Sequence, residues 1–150
     1  MLKILCLFCL TLAALGSGRV WAEKTGDVAD LGQYVWKKRL LFLFSPSPEA
    51  PAYKALSDEL RRNPDGVRDR DLLVFRILEQ SPSLVGSQEM SPQGAEELRR
   101  RFGAGRGALT VVLIGKDGGV KLQQSGPVAL SDIFGLIDSM PMRQREMQRK

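Results

Sequence analysis

Leu109-Thr-Val-Val-Leu-Ile-Gly-Lys-Asp-Gly-Gly-Val-Lys-Leu-Gln-Gln124 is the stretch that decides the fold. Leu109 to Ile114 carries four β-branched residues and no charge, the composition of a strand buried on both faces. Lys116-Asp117-Gly118-Gly119 supplies a hairpin turn, because Asp-Gly tolerates the backbone conformation that a tight reversal demands. Val120 to Gln124 is the returning strand. An antiparallel pair therefore closes whatever the upstream chain builds.

Upstream, Leu40-Leu-Phe-Leu-Phe44 and Leu72-Leu-Val-Phe-Arg-Ile-Leu78 are two more short apolar runs bounded by turn residues. Between them Tyr53, Leu56 and Leu60 fall at helical spacing, with Arg61 and Arg62 at the end where cations suit the dipole. Asn63-Pro64 and Asp65-Gly66 break that helix. Ser81-Pro82 and Gly86 mark a loop. Ser91 caps a helix with Pro92 at its first position, running to about Phe102 and closed by Gly103. Downstream, Leu130, Ile133, Phe134 and Ile137 make one face of a last helix, which ends before Pro141. The final nine residues are polar and basic, expected to be solvated.

The order is β-α-β-α-β-β-α. Strands separated by helices are expected to run parallel through crossovers, with the hairpin as an antiparallel edge. The expected fold class is α/β, a three-layer α/β/α arrangement of thioredoxin-like type around a mixed four-stranded sheet.

The chain has 150 residues, two cysteines (Cys6 and Cys9) and no histidine. Residues 1–22 read as a cleaved signal peptide. Lys3 opens it, Ile4 to Leu15 is its apolar run, and Val20-Trp21-Ala22 offers a cut before Glu23. The run is too short for a bilayer span, which needs about 20 residues. The expected protein is exported, periplasmic or secreted, and not an integral membrane protein. Residues 23–147 form one thioredoxin-like domain and residues 148–150 a basic end. Cleavage removes Lys3 and Arg19, lowering the net charge from +5 to +3, and removes both cysteines. The remaining charge and the compartment argue against a nucleic-acid partner. The absence of mature thiols argues against disulfide or peroxidase chemistry.

Val111 to Lys121, together with Leu130-Ser-Asp-Ile-Phe-Gly-Leu-Ile-Asp-Ser-Met-Pro-Met-Arg143, resembles a bacterial family of domains of unknown function in the "P-DUDES" branch of thioredoxin-like proteins. The same domain type is similar to modules of vertebrate sushi-repeat extracellular proteins. The resemblance covers roughly Leu31 to Met147, and its specific stretches are Ile114 to Gly119 and Ile137 to Met142. It implies peroxiredoxin-like ancestry and no established activity, so it transfers no catalytic residue.

Active thioredoxin relatives hold their thiol where the first strand meets the first helix, since a helix N-terminus lowers a thiol's pKa. Here that junction is Ser45-Pro-Ser-Pro-Glu-Ala-Pro51. The same relatives place a cis-proline before the third strand, where this chain has Ala108-Leu109. Ser45, Ser47 and Glu49 form the candidate binding loop, with Ser45 or Ser47 expected to cap the helix. A serine nucleophile would need Glu49 or a lysine as base, because there is no histidine.

Gly115 to Gly119 joins strand to strand and is a turn rather than a phosphate loop. Gly103 to Gly107 precedes a strand, the reverse of a dinucleotide fingerprint. Lys37 to Arg39, Arg61-Arg62 and Arg99 to Arg101 are explained by solvation and helix dipoles. Arg143, Arg145, Arg149 and Lys150 are candidate contacts to an anionic surface. Tyr34 and Trp36 are expected to plug the end of the core. No catalytic residue, cofactor or metal is expected. The leading functional reading is a non-catalytic binding or adaptor module for an unidentified protein or envelope component. Its alternatives are a cysteine-independent hydrolase or transferase using Ser45 to Pro51, and an envelope adaptor acting through the basic tail.

Overall fold

The computed structural model describes residues 30–149. The expected signal, its cleavage site, Cys6, Cys9 and Lys150 lie outside them. Asp30 opens the fold by accepting the Gly32 amide on its side chain, at the head of a short 3-10 turn, Leu31–Tyr34.

Strand β1 (Arg39–Ser45) is buried at every position. That follows from its place at the centre of the sheet, with both faces covered. Leu40, Phe42 and Phe44 point to one side and Leu41 and Leu43 to the other. Helix α1 (Pro51–Arg62) buries Tyr53, Leu56 and Leu60, the stripe expected from spacing. Asn63 breaks it, but Pro64 immediately starts a second helix, α2 (Pro64–Asp69), since proline is suited to a first turn. Strand β2 (Leu72–Leu78) pairs with β1 in parallel, Phe42 opposite Phe75.

The chain then makes a small hairpin absent from the sequence reading, β3 (Leu84–Val85) and β4 (Gln88–Glu89), turning at Gly86 with φ +58°. Helix α3 (Pro92–Arg101) follows, and the Ser91 hydroxyl accepts the Gly94 amide at 3.1 Å as expected of its cap. Strands β5 (Thr110–Ile114) and β6 (Val120–Ser125) form the hairpin anticipated from Asp117-Gly118, with Gly118 at φ +79°. Helix α4 (Leu130–Ser139) buries Leu130, Ile133 and Ile137.

The sheet order is β4-β3-β2-β1-β5-β6, six strands rather than four. The third long strand also departs from expectation. β5 is antiparallel to β1, Phe42 opposite Val112. The physical reason is where α3 delivers the chain: Thr110 lies opposite Phe44, near the end of β1, and the Gly107 amide just before it donates to Glu79 Oε1, just past β2, at 3.0 Å. The chain thus enters β5 at the end where β2 stops, and has no need of a parallel crossover.

The basic tail is structured as well. Pro141 opens helix α5 (Pro141–Met147), instead of closing the last helix into solvent.

One face of the sheet packs under α3 and the N-terminal turn, with Phe42 stacked on Phe75 at 4.4 Å and tilted against Phe102 at 4.9 Å. The other packs under α1 and α4. The three layers are those of a thioredoxin-like domain. Tyr34 meets Phe75 edge-on at 6.0 Å and plugs the core end. Trp36 does not: it is 67 % exposed, at φ +65°, its amide bonded to the Lys116 carbonyl at 2.6 Å. A left-handed conformation turns the indole out while the backbone stays tied to the β5–β6 turn.

Candidate functional site

In a sheet with parallel strands, ligand sites favour the strands' carboxyl ends. Here these are the ends of β1 and β2. Ser45 closes β1 and is 0 % exposed. Its hydroxyl donates to the Ser47 carbonyl at 3.0 Å, holding the turn into α1. Neither serine caps that helix. The position preceding Pro51 is Ala50, which offers no side-chain acceptor. Ser47 is half-buried and Glu49 exposed, so of the three candidate residues only Glu49 stands in solvent. A buried hydroxyl already committed to a carbonyl is poorly placed as a nucleophile, which needs a base within hydrogen-bond reach.

Beyond β2 the chain runs alongside this corner, with Glu79 and Gln80 amides donating to the Ser45 and Pro46 carbonyls at 3.1 Å each. Glu79 also holds the loop before β5 through the Gly107 amide. Arg99 completes the clamp from α3. Only 5 % exposed, it donates to the Gly105 carbonyl at 3.1 Å, lies 3.6 Å from Glu79 Oε1, and passes over the Phe44 ring at 5.6 Å. Arg99 therefore departs from the solvated cluster expected for Arg99 to Arg101. The sequence carried a signal for this, since Ala95, Leu98, Arg99 and Phe102 share one helical face. A cleft of about 550 Å³ opens beside the clamp, lined by Glu79, Ser83, Glu89, Glu96, Arg99 and Arg106 among others.

The opposite end of the sheet holds a second charged assembly, which the sequence reading missed. Arg39, 1 % exposed, pairs with Glu146 at 3.1 Å and donates to the Arg70 carbonyl at 3.0 Å. Lys116 Nζ reaches Glu146 Oε1 at 2.7 Å and Asp71 Oδ2 at 2.8 Å. Arg143, 2 % exposed, donates to the Asp69 carbonyl at 2.7 Å, to the Asp69 carboxylate, and from Nε to Asp138 at 3.1 Å. Arg70 meets Asp138 at 2.5 Å and covers the Phe134 ring at 4.0 Å. These contacts dock α5 without an apolar stripe.

Burial alone would raise the carboxyl pKa of Glu146, Asp71 and Asp138. Hydrogen bonds and charge from Lys116, Arg39, Arg70, Arg143 and Lys38 outweigh it, and all three sit below the ordinary carboxylate range.

The expected anionic-surface residues consequently divide. Arg143 is built into the fold and faces no surface, whereas Arg145 and Arg149 are exposed. No group of three or more His, Cys, Asp or Glu side chains arranged for a metal ion occurs among the described residues. Among the same residues no helix is long and apolar enough to cross a membrane.

The three layers and strand order define the class as thioredoxin-like, and solved structures agree. The chain superposes on the reduced 2-Cys peroxiredoxin of Plasmodium vivax with a TM-score of 0.57 at 14% identity, covering 77% of this chain and 84% of that one. Plasmodium yoelii thioredoxin peroxidase I gives 0.56 at 16%, covering 77% and 79%. At such identity the likeness shows the fold alone. The chain belongs to the family described as Domain of unknown function (DUF4174), whose model matches residues 30–146. It is 32% identical over 124 residues to sushi repeat-containing protein SRPX2 of Xenopus laevis, covering 81% of this chain and 27% of that one. It is 27% identical over 134 residues to coiled-coil domain-containing protein 80 of Danio rerio, covering 78% and 15%. The chain spans about a quarter or less of the curated relatives it matches.

Proposed function

We propose that this is an exported, thioredoxin-like binding module that performs no redox or hydrolytic chemistry. The observation that carries the reading is the strand-to-helix junction, where the fold's active members hold a thiol: residues 45–51 offer no sulfur, and the Ser45 hydroxyl is fully buried and bonded to its own turn. The clamp of Glu79 and Arg99 on the facing loop supports it, because both charged groups are engaged in holding that loop and neither stands beside Ser45 or Ser47 as a base. The exposed Glu49 and the half-buried Ser47 at the head of α1 would meet a protein partner. Export rests on the signal-like composition of residues 1–22, with secretion or the periplasm as destination.

In-cell photo-crosslinking from position 49 tests the reading, with Arg61 on the exposed side of α1 as control. A discrete protein adduct from 49 and none from 61 is expected. Thiol-disulfide, peroxidase or esterase turnover by the purified protein above a buffer blank would overturn it.

A further inference from the structure

The two sequence stretches that single out this family, Ile114 to Gly119 and Ile137 to Met142, are far apart in the chain. They form walls of one cavity of about 430 Å³ between the start of β1, the β5–β6 turn and the α4–α5 junction. That volume suits a small molecule. Arg39, Lys116, Lys121 and Arg145 line it, against the single carboxylate of Asp117.

The partners of these cations do not cancel the excess. Lys121 is tied to Asp117 at 2.7 Å, within the cavity. Lys116 and Arg39 are balanced by Asp71 and Glu146, neither of which lines it. Arg145 contacts no carboxylate among the described residues. Its Nε donates to the Pro141 carbonyl at 3.3 Å, and the rest of its guanidinium stands at the exposed rim. The Arg39 Nε–H is buried with no acceptor among the described residues and does not open onto the cavity, so the charge that faces a ligand is that of Lys121 and Arg145. The remaining wall includes Met140, Pro141 and Met142, an apolar surface with two adaptable thioethers.

We propose that this cavity binds a small amphiphilic oxyanion. A phosphate, sulfonate or carboxylate head lies against Lys121 and Arg145, through the charge-assisted hydrogen bonds such groups favour. A compact apolar body lies against Met140 and Met142. The inference rests on the reading of the domain as a binding module, and assigns it a ligand class and a site away from the Ser45 corner.

1-Naphthyl phosphate is the probe, followed by calorimetry and by amide chemical shifts. Saturable binding is expected, with shifts at Gly115 to Lys121 and Met140 to Arg145. Inorganic phosphate and 1-naphthol should each bind about tenfold more weakly. The double variant Lys121→Gln/Arg145→Gln should lose about tenfold in affinity, with an unchanged urea midpoint. Arg106→Gln, on the cleft at the other end, should change nothing. Absence of saturable binding, or binding indifferent to the double variant, overturns the site. Release of 1-naphthol is a separate readout. If it occurs and is lost in the double variant, the site stands and the non-catalytic reading falls.

Discussion

Arg39 and Glu146 meet through two contacts, Nη1 to Oε2 at 3.1 Å and Nη2 to Oε1 at 3.4 Å, across 107 residues of chain. The pair is lopsided. Arg39 is 1 % exposed, whereas Glu146 keeps about a quarter of its side chain in water and has Lys116 as a second partner. Taking one member from a buried pair is costly when the other is left charged and dry. Glu146→Ala should therefore destabilise the fold by about 2 kcal/mol, discounted for the exposure of the carboxylate. Arg39→Met, which leaves Glu146 with Lys116, should cost about half that or less. Urea denaturation of both variants checks the order, and the reverse order would refute this account of the pair.

Acid should weaken the same end of the molecule. Asp71, Asp138 and Glu146 have folded pKa values below their ordinary 3.8, 3.8 and 4.5. A depressed carboxyl pKa contributes stability that is present above the unfolded value and lost as pH falls through the folded one. The urea midpoint should hold between about pH 7 and 5.5 and fall below about pH 4.5. The Glu146→Gln variant should start lower and fall less steeply. A midpoint independent of pH down to about 3 would show that these pairs add nothing.

The loop before β5 should loosen when its anchor is removed. Glu79→Ala leaves the Gly107 amide without its acceptor and Arg99 without its carboxylate. Amide exchange at Gly107 should accelerate by about tenfold or more, since a side chain now supplies its protection. The Gly115 amide, bonded to the Gly119 carbonyl at the sheet's other end, should not change. Equal acceleration at both would indicate global destabilisation in place of a local clamp.

Gly118 carries the β5–β6 turn at φ +79°, and a methyl group there would meet only Val35, at an ordinary 3.5 Å. Gly118→Ala should therefore cost about 1–2 kcal/mol from backbone strain alone. Gly118→Asn should recover part of it, because asparagine tolerates the left-handed region. Thermal unfolding distinguishes the two, and an alanine variant as stable as the parent would mean that the turn relaxes.

What the sequence disclosed follows from which forces leave a pattern in it. Leu40 to Phe44, Leu72 to Leu78 and Leu109 to Ile114 announce themselves because burial on both faces demands unbroken apolar runs. Such a run has no polarity along the chain, so it could not reveal that β5 runs against β1; that depends on the end of the sheet at which the chain leaves α3. Helix α5 was hidden for a different reason. It is docked by Arg143 and Glu146, and a charged side chain in a basic tail looks the same whether it is solvated or paired. The β3–β4 hairpin, two residues a side, is too short to show alternation.

At the candidate site, the residue types were legible and their burial was not. The serines and the missing sulfur of residues 45 to 51 were plain, but the burial of Ser45 and its bond to the Ser47 carbonyl depend on the turn's conformation, which the residue types do not specify.

The contact of Arg39 with Glu146 also has an architectural consequence. Arg39 opens the first strand and Glu146 lies in the last turn of the last helix, so the first strand begins and the last helix finishes at the same end of the sheet. A longer protein can carry such a unit as a side branch, with its flanking segments brought together as if by a short loop.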